Sequence, residues 1–536
     1  MSITSLTFFL FAAVTLVVYY CLPKKWQWYV LLAASLVFYC AGGAKSVIYV
    51  LITATVIYFA TLGMQRISDA QREYLKQNKA VLSREEKSAY KARQKKKRKA
   101  MMLAALLVNL AILCTFKYFH FVLAQINHLI RAVGAREIRD TVNLIVPLGI
   151  SFYTFQSIGY LLDVYWEFYK PERNYGKVLL FVSFFPQITQ GPISNFEQLS
   201  AELFTEHTFT YRNYAWGFQR MLWGFAKKMI VANILSVYVG RIFEGFQDHS
   251  GITALFGMFC YSVQIYADFS GYMDIMCGYC EMLGIRLTEN FDRPYFSKSV
   301  AEYWRRWHIS LGTWFKKYVY YPIGMSGWSR RLAKQCGKKL GKYFADTIPA
   351  TIALVVVWFA TGLWHGASWS YILWGGVNGF FIILTLWLEP VYSKVKTALR
   401  IRESSRLWAA FQTIRTFLLV TFIKVLPEVG TLTDGLRLWK HVFVNHELRF
   451  DFRWIVAFPG SEMGVSYLFF LLAAAGTAAM FVASLLQRKK PVRAYFNELP
   501  AAVRIPLVCG LLFVVLTLGT LATFKSGNGG FLYAQF

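Results

Sequence analysis

Ala350-Thr-Ile-Ala-Leu-Val-Val-Val-Trp-Phe-Ala-Thr-Gly-Leu-Trp-His365 is an apolar run that ends in a histidine, and a second apolar run follows at 368–388. Runs of this length are typical of helices that cross a lipid bilayer. An ionisable side chain at membrane depth costs about 3 kcal/mol on insertion scales, so such a residue indicates a functional site. A neutral imidazole also accepts and returns a proton near physiological pH. We therefore predict a membrane hairpin over 348–388 with His365 at its glycine-flanked turn.

Runs of the same kind recur along the whole chain and predict its fold class. The 536 residues are 56% hydrophobic and 16% charged, whereas a soluble protein has about 25% charged residues. We predict an all-α polytopic membrane protein with about 11–13 membrane helices, re-entrant segments included. The predicted spans are 4–22, 26–42, 46–64, 101–118, 143–165, 216–242, 252–285, 348–364, 368–388, 408–427, 465–486 and 504–524.

Four regions are expected along the chain. Membrane helices over 1–65 precede a basic cytoplasmic arm at 66–100, a catalytic core at 101–390 and further membrane helices over 391–536. The first apolar run has neither a charged n-region nor a clear cleavage site. We therefore expect a retained helix there and not a removed signal peptide.

The formal net charge of +29 is concentrated between the apolar runs. Residues 66–99 contain thirteen Lys or Arg against four acids, and residues 303–345 contain ten and no acid. Basic short loops are typical of the cytoplasmic side, where they also lie near anionic lipid headgroups. The connection 428–464, with four basic and five acidic residues, fits the opposite side. This distribution favours membrane topology over nucleic-acid binding, and no nucleic-acid partner is expected.

Polar residues set among aromatic ones in the central third of the chain predict an internal polar path. Carboxylates in apolar surroundings must face partners or water and not lipid. Pro186, Gly191 and Pro192 break a helix, and broken backbone at membrane depth is tolerated where it lines an enclosed cavity. We therefore predict a central tunnel or funnel. The residues expected to line it are Gln187, Gln264, Asp268, Ser270, Asp274 and Trp364.

His308 lies in a second unusual segment, Tyr303-Trp-Arg-Arg-Trp-His-Ile-Ser-Leu311. Guanidinium groups bind phosphate bidentately and stack on planar rings, which suits a phosphate-bearing, nucleotide-like donor. Ordinary snorkelling of basic side chains at the headgroup level is the alternative. With His308 at a basic entrance and His365 at a glycine break, a cytoplasmic donor and an acceptor from the other side can meet. The candidate donor-binding residues are Trp304, Arg305, Arg306 and Lys316.

The eight cysteines do not change this interpretation. Most of them lie inside apolar runs, where a thiol behaves as a small hydrophobe. Cys277-Gly-Tyr-Cys280 lacks a second cysteine pair or a nearby histidine, so two neighbours on one helical turn are favoured over a metal or redox site. We therefore predict no metal site.

Several motifs together form a recognisable set. They are Phe184-Phe-Pro-Gln with Gly191-Pro-Ile, Gln264-x-Tyr-x-Asp-Phe-Ser-Gly-Tyr-x-Asp274, Asn290-Phe-x-x-Pro-Tyr295, Trp304-Arg-Arg-Trp-His-Ile-Ser-Leu311, Gly362-Leu-Trp-His-Gly-Ala-x-Trp369 and the closing Phe531-Leu-Tyr-Ala-Gln-Phe536. Over nearly the whole chain this set resembles the membrane-bound O-acyltransferase (MBOAT) family. Within it, the chain resembles the bacterial branch of alginate O-acetylation and teichoic-acid D-alanylation membrane proteins. His365 matches the family's essential histidine, and His308 matches its second signature position.

The resemblance implies a ring of membrane helices around a tunnel and transfer of an acyl group, usually acetyl, to a hydroxyl. It implies the bacterial cytoplasmic membrane, an extracytoplasmic polysaccharide acceptor and an esterase-like or acetyltransferase partner on the outer side. The donor is expected to be acetyl-CoA or an acyl-carrier-protein thioester, with no permanently bound cofactor. The basic arm at 66–99 departs from the family core.

Our hypothesis from the residues and the resemblance is an O-acyltransferase. Neutral His365 acts as general base on an acceptor hydroxyl, which attacks the thioester carbonyl. His308 orients the donor or stabilises the developing oxyanion. A lipid or polysaccharide transporter with proton-relay histidines is the alternative from another class, and a structural membrane subunit whose activity resides in a partner is a third.

Overall fold

Helices account for nearly all of the regular structure in the computed structural model. The structure describes residues 2–142, 144–445, 447, 449–450, 452–527 and 530–531, apart from the side chains of residues 44 and 45. The first of two units is Ile3–Thr210 with Leu283–Leu287, and the second is Tyr211–Met282 with Thr288–Phe536. The predicted all-α membrane class is confirmed, while the central tunnel stays a prediction.

The first unit contains eight α-helices in the described residues. They are Leu6–Cys21, Gln27–Ala41, Ala44–Gln77, Arg84–Ala132, Ile150–Tyr165, Tyr175–Ser183, Phe185–Ile188 and Phe196–Leu203. The short helix Phe185–Ile188 and the non-helical residues after it confirm the predicted break at Pro186 and Gly191. A Cβ at Gly191 would overlap the backbone of Gln187, so the chain turns closely on itself there.

The basic arm is a helical hairpin. Helix Ala44–Gln77 runs from an apolar stretch into the charged segment, and helix Arg84–Ala132 runs from the charged segment into the next apolar stretch. Ser83 begins the second helix with a capping box, because its hydroxyl accepts from the Glu86 N–H and the Glu86 carboxylate accepts from the Ser83 N–H. The cytoplasmic position of the arm stays a prediction.

Nine helices of the described residues are long and apolar enough to cross a membrane. Three further predicted spans correspond to shorter helices, namely Leu6–Cys21, Gln27–Ala41 and Ile150–Tyr165, with 16, 15 and 16 residues. A full crossing takes about 20 residues. Ile150–Tyr165 begins late because Pro147 and the left-handed Gly149 precede it, and it is almost wholly buried within its unit. It packs as a core helix.

The second unit carries the remaining spans. Its long helical segments are Tyr211–Phe225 continued through a π-helical turn at Ala226–Ala232 into Asn233–Glu244, then Gly251–Met282, Lys342–His365, Trp369–Ala398, Arg406–Lys424, Met463–Leu486 and Ala501–Val514 continued to Thr520–Ser526. Shorter helices connect them, namely Val300–Arg306, Ile309–Phe315, Tyr321–Gly324, Gly327–Leu340, Leu432–Val444, Phe452–Val456 and Val492–Glu498.

Two glycine pairs join Tyr211–Glu244 to Gly251–Met282 at backbone distance. A Cβ at Gly224 would lie 2.6 Å from the Gly271 carbonyl oxygen, and one at Gly278 would lie 2.5 Å from the Gly217 carbonyl oxygen. Small residues permit this approach in membrane helices. The apolar stretches of these two helices are 83% and 67% buried, whereas the other seven spans bury at most 39% of theirs. The glycine seam therefore forms the interior of the second unit.

Candidate functional site

The predicted break at His365 is present. Helix Lys342–His365 ends on the histidine, and the next helix begins after Ser368, whose hydroxyl accepts from the Tyr371 N–H. A Cβ at Gly362 would lie 2.5 Å from the Tyr371 carbonyl oxygen, and one at Gly366 would overlap the Tyr371 ring. Glycine at both positions lets the two helices approach closely around the imidazole. This confirms the predicted hairpin.

His365 is enclosed by aromatic rings. The residue is 4% exposed, and its ring centroid lies 4.8 Å from Trp374 and 5.0 Å from Trp364, both edge to face. Tyr371 lies nearly parallel to the imidazole at 6.3 Å. Aromatic walls exclude water and fix ring orientation, which are the conditions in which a single imidazole can exchange a proton with one bound group.

His308 sits in a strained turn between Val300–Arg306 and Ile309–Phe315. Its backbone is left-handed, with φ 49° and ψ 53°, which for a residue other than glycine costs about 1–3 kcal/mol. Asn290 holds the turn, because its carbonyl accepts from the Ile309 N–H at 3.1 Å and its side-chain oxygen accepts from the Ser310 N–H at 2.9 Å. Strain that the surroundings enforce in this way is common at functional sites.

The imidazole of His308 is buried in apolar surroundings. It is 1% exposed, meets the Phe269 ring edge to face at 4.9 Å and lies 6.0 Å from Trp364. Burial lowers the pKa of His308 to about 3, because the charged form loses its hydration. The ring is therefore neutral at physiological pH.

Trp364 contacts both histidines. Its indole lies 6.0 Å from the His308 ring and 5.0 Å from the His365 ring. The structure thus brings together two residues that are 57 positions apart in the sequence. Together these rings form the candidate site, in which two imidazoles flank one aromatic side chain.

The predicted donor-binding residues lie in different environments. Arg305 and Lys316 are exposed. Arg306 is paired with Glu302 one helical turn earlier, at 2.6 Å. Trp304 is part of the packing, since its indole N–H donates to the Asn378 side-chain oxygen at 2.9 Å. The donor-binding roles stay predictions, and Arg305 is the guanidinium most open to a ligand.

Asp268, one of the predicted tunnel residues, belongs to a buried ion pair. Its carboxylate is 1% exposed and accepts from the Lys228 ammonium at 2.7 Å. The same ammonium donates to the Gly530 carbonyl at 2.6 Å and lies 4.6 Å over the Phe531 ring. The charge of Asp268 is thus neutralised by a lysine on the neighbouring helix.

Asp274 and Ser270 lie on the same helix as Asp268 and also bind a lysine of the neighbouring helix. Lys227 donates to the Asp274 carboxylate at 2.6 Å and to the Ser270 hydroxyl at 2.9 Å. Arg220 donates to Asp274 at 2.9 Å and to Glu289 at 2.6 Å. We call these contacts, with Lys228–Asp268, the charge ladder. The tunnel-lining roles of these residues stay predictions.

The two predicted glutamines differ in their bonding. Gln187, in the first unit, accepts from Gln156 at 2.8 Å and donates to Ser194 at 2.7 Å. Gln264, in the second unit, has a buried side-chain oxygen with no hydrogen-bond partner among the residues that the structure describes. A buried amide oxygen without a donor costs about 1–3 kcal/mol. The tunnel-lining roles of both glutamines stay predictions. In the described ranges, no three His, Cys, Asp or Glu side chains cluster as a metal site.

Three buried lysines were missed by the sequence interpretation. Lys227 and Lys228 lie within the predicted span 216–242, and Lys424 lies within the predicted span 408–427. The rule that singled out the histidines, namely an ionisable residue inside an apolar run, would have found all three. Lys424 lies over the ring of Trp307, which precedes His308.

Comparison with known proteins identifies the family. The family model of MBOAT, the membrane-bound O-acyltransferase family, matches residues 172–337, which include His308. A Pseudomonas aeruginosa protein named probable alginate O-acetylase is 31% identical over 401 residues, which cover 75% of this chain and 71% of the relative.

Two further relatives have different named activities. A peptidoglycan O-acetyltransferase of Helicobacter pylori is 30% identical over 304 residues, or 52% of this chain and 54% of the relative. A teichoic acid D-alanyltransferase of Bacillus subtilis is 28% identical over 238 residues, or 44% of this chain and 57% of the relative. All three names describe acyl transfer. From the motifs, the membrane helices and these relatives, the chain belongs to the membrane-bound O-acyltransferase family.

Proposed function

We propose that this membrane O-acyltransferase moves an acetyl group from a cytoplasmic thioester to a hydroxyl on the other side of a bacterial cytoplasmic membrane. The observation that carries the proposal is the pair of buried histidines on Trp364. A single imidazole in a water-poor aromatic enclosure is suited to general-base chemistry, because its proton exchange is confined to the bound reactants.

His365 is the general base in this proposal. Its neutral imidazole takes the proton of the acceptor hydroxyl while the hydroxyl oxygen forms a bond to the thioester carbonyl carbon. The tetrahedral intermediate then collapses, the carbon–sulfur bond breaks, and the imidazolium returns its proton to the leaving thiolate. General-base catalysis of this kind contributes about 10²–10⁴-fold to a rate. A thiolate leaves readily, so the chain's own residues suffice for these steps.

His308 takes the second role. Since burial keeps this imidazole neutral, one of its nitrogens carries a hydrogen that can be donated to the thioester carbonyl oxygen. The oxygen becomes negatively charged in the tetrahedral intermediate, so a donor fixed in advance stabilises the transition state more than the bound substrate. The strained turn held by Asn290 supports such a fixed orientation.

The substrates are inferred from the relatives and the charge pattern. Alginate, peptidoglycan and teichoic acid are the polymers in the relatives' names, which supports a polysaccharide hydroxyl, or a hydroxyl of a relay partner protein, as acceptor. The exposed Arg305 and Lys316 support a phosphate-bearing donor, either acetyl-CoA or an acyl-carrier-protein thioester. An extracytoplasmic acetyltransferase or esterase-like protein is the expected partner.

The test is acyl transfer by the purified protein in lipid nanodiscs, measured with radiolabelled acetyl-CoA and, separately, with an acetylated carrier protein. We expect His365→Ala to lower the initial rate of thioester consumption by about 10²–10⁴-fold while the thermal midpoint is unchanged. His120→Ala is the control, because His120 is half-exposed and hydrogen-bonded to Asp140 at 2.7 Å. A wild-type rate in folded His365→Ala would refute the assignment, and flux without covalent transfer would favour a transporter.

A further inference from the structure

Lys424 is a buried lysine whose amino group has no carboxylate partner among the residues that the structure describes. It ends helix Arg406–Lys424 and is 6% exposed. Among the residues that the structure describes, its ammonium has one hydrogen-bond acceptor, the Tyr295 hydroxyl at 2.7 Å. Burying an ammonium away from water is strongly unfavourable unless other groups stabilise the charge. The groups that surround the Lys424 ammonium are aromatic rings.

Three rings surround the Lys424 ammonium. It lies 3.9 Å from the centroid of Trp307, 4.5 Å from that of Tyr295 and 5.2 Å from that of Tyr303. Cations are attracted to the negative faces of aromatic rings, to Trp most strongly, and the attraction grows when water is excluded. We call Lys424 with these three rings the aromatic cage.

Hydrogen bonds through the Tyr295 hydroxyl hold the aromatic cage in place. The Tyr295 hydroxyl accepts from Lys424 and donates to the backbone carbonyl of Ser262. The Ser262 hydroxyl in turn donates to Thr421, on the same helix as Lys424, at 3.0 Å. Tyr295 and Tyr303 also stack at 6.3 Å with an interplanar angle of 17°. The ammonium is therefore held in place, and the ring positions depend on it.

Trp307 connects the aromatic cage to the candidate site, because it immediately precedes His308. Its backbone forms an isolated β-bridge with Phe291, and the Arg306 carbonyl accepts from the Asp292 N–H at 3.0 Å. The left-handed turn at His308 begins where this pairing ends. Trp307 therefore leads directly into the turn that carries the His308 imidazole.

From these contacts we infer that Lys424 is a positioning residue for His308: its ammonium holds the face of Trp307 and thereby fixes the turn that carries the imidazole to Trp364. Lys424 acts through Trp307 and does not touch the reacting atoms. This inference rests on the proposed function for its effect on acyl transfer. Its structural part, the immobilisation of His308, is independent of that function.

Lys424→Met, Lys424→Gln and Lys424→Arg test the inference in the full chain in nanodiscs. Methionine keeps the length and apolar stem of lysine but removes the cation, whereas arginine restores a cation that stacks on rings. The first measurement is the rate at which diethyl pyrocarbonate modifies His308, followed by peptide mass spectrometry. We expect faster modification of His308 in Lys424→Met and Lys424→Gln, a near wild-type rate in Lys424→Arg, and an unchanged rate at His365 in all three.

Lys490→Met is the matched control. Lys490 also lies over an aromatic ring, Tyr495 at 4.2 Å, but it is part of an exposed pair with Glu498. Its substitution should leave the modification of His308 unchanged. If Lys424→Met fails to yield monodisperse protein, the comparison of Lys424→Gln with Lys424→Arg decides. Wild-type modification of His308 in the folded variant without a cation overturns the inference, as does modification in Lys424→Arg as fast as in Lys424→Gln.

The second measurement is acyl transfer with kcat and KM determined separately. Misplacing a group at the reacting centre by about 1 Å lowers a rate by up to about 100-fold. We therefore expect kcat of Lys424→Met to fall by about 10- to 100-fold, with rescue by Lys424→Arg to within about threefold and thermal midpoints close to wild type. Faster modification of His308 with an unchanged kcat would support the inference that Lys424 positions His308, but it would refute the proposed role of His308 in acyl transfer. An unchanged rate of His308 modification with a reduced kcat would refute the inference that Lys424 positions His308.

Discussion

Two sets of buried cations in the second unit are stabilised in opposite ways. In the charge ladder, Lys228 and Lys227 face carboxylates on the neighbouring helix at 2.7 and 2.6 Å. In the aromatic cage, Lys424 faces three ring systems and a tyrosine hydroxyl. The charge ladder pairs each of its cations with a carboxylate, whereas the aromatic cage surrounds Lys424, among the residues that the structure describes, with rings and a hydroxyl, one of the rings being Trp307, which precedes His308.

Because the two sets are stabilised differently, substitutions in the charge ladder should affect stability and substitutions in the aromatic cage should affect the reaction rate. A buried ion pair is strongly destabilised when one partner is removed, because the other charge remains in a medium of low polarity. A cation on aromatic faces leaves no opposite charge behind when it is replaced by an apolar side chain. We therefore expect removal of one partner in the charge ladder to destabilise the fold strongly, and substitutions in the aromatic cage to leave a folded protein that reacts slowly.

The largest effect on stability is expected for Lys228→Met. Removing one partner of a buried pair costs about 3–5 kcal/mol, and Asp268 would remain 1% exposed without its cation. The yield of monodisperse protein after detergent extraction and its thermal midpoint measure the effect. A wild-type thermal midpoint in Lys228→Met would show that Asp268 finds another partner. The charge ladder and the aromatic cage would then not differ in their effect on stability.

The matched control is the double variant Lys228→Met with Asp268→Met. Replacing both members of a buried pair by apolar side chains is often neutral or stabilising. We expect the double variant to recover most of the stability that the single variant loses. If the double variant is as unstable as the single one, the contacts of Lys228 with Gly530 and Phe531 matter more than its charge.

A smaller, pH-dependent effect is expected from His308. Burial lowers the pKa of this imidazole to about 3 in the folded protein, whereas its pKa in the unfolded chain is about 6.5. Between these values the unfolded state binds more protons, so the free energy of unfolding falls as the pH is lowered below about 6.5.

His308→Gln removes this titration. Its thermal midpoint should fall less than that of the wild type as the pH is lowered from 7 to 4, because no imidazole is left to protonate in the unfolded chain. Parallel thermal scans in the same buffers check the difference. Equal slopes of midpoint against pH in both proteins would show that His308 is accessible to protons in the folded state.

The smallest effect is expected at the pair Arg306–Glu302. Both side chains are about a quarter exposed or less, and a helical pair of this spacing contributes about 0.5 kcal/mol. Glu302→Gln should therefore leave the thermal midpoint nearly unchanged while it frees the Arg306 guanidinium. If Arg306 binds donor phosphates, KM for acetyl-CoA falls. An unchanged KM would leave Arg305 as the better candidate.

The membrane hairpin and its turn could be predicted because their signals are local. Hydropathy places the helices, and Gly362 and Gly366 mark the break at His365. Ile150–Tyr165 was predicted as a span because an apolar run looks the same whether lipid or protein covers it. Its 16 residues and its burial within the first unit become visible only in the packed structure.

The chemistry around His308 could not be read from the sequence for a different reason. Its left-handed backbone depends on Asn290, and its neighbour Trp307 depends on Lys424, which lies 117 positions further along the chain. The partners in the charge ladder are similarly distant, 40 residues apart for Lys228 and Asp268. A sequence reveals that an ionisable group lies in an apolar run, but not which group on another helix meets it.

The glycine seam between Tyr211–Glu244 and Gly251–Met282 restricts how this protein moves. The backbones of the two helices touch at Gly224 and Gly271, and again at Gly217 and Gly278, and the charge ladder links the same two helices. Rotation of one helix against the other would break both sets of contacts. The two helices must therefore tilt or shift together as one rigid body. A carrier that exposes its cargo alternately to the two compartments needs such walls to rock apart, whereas an enzyme that joins reactants arriving from both sides gains from a wall that stays still.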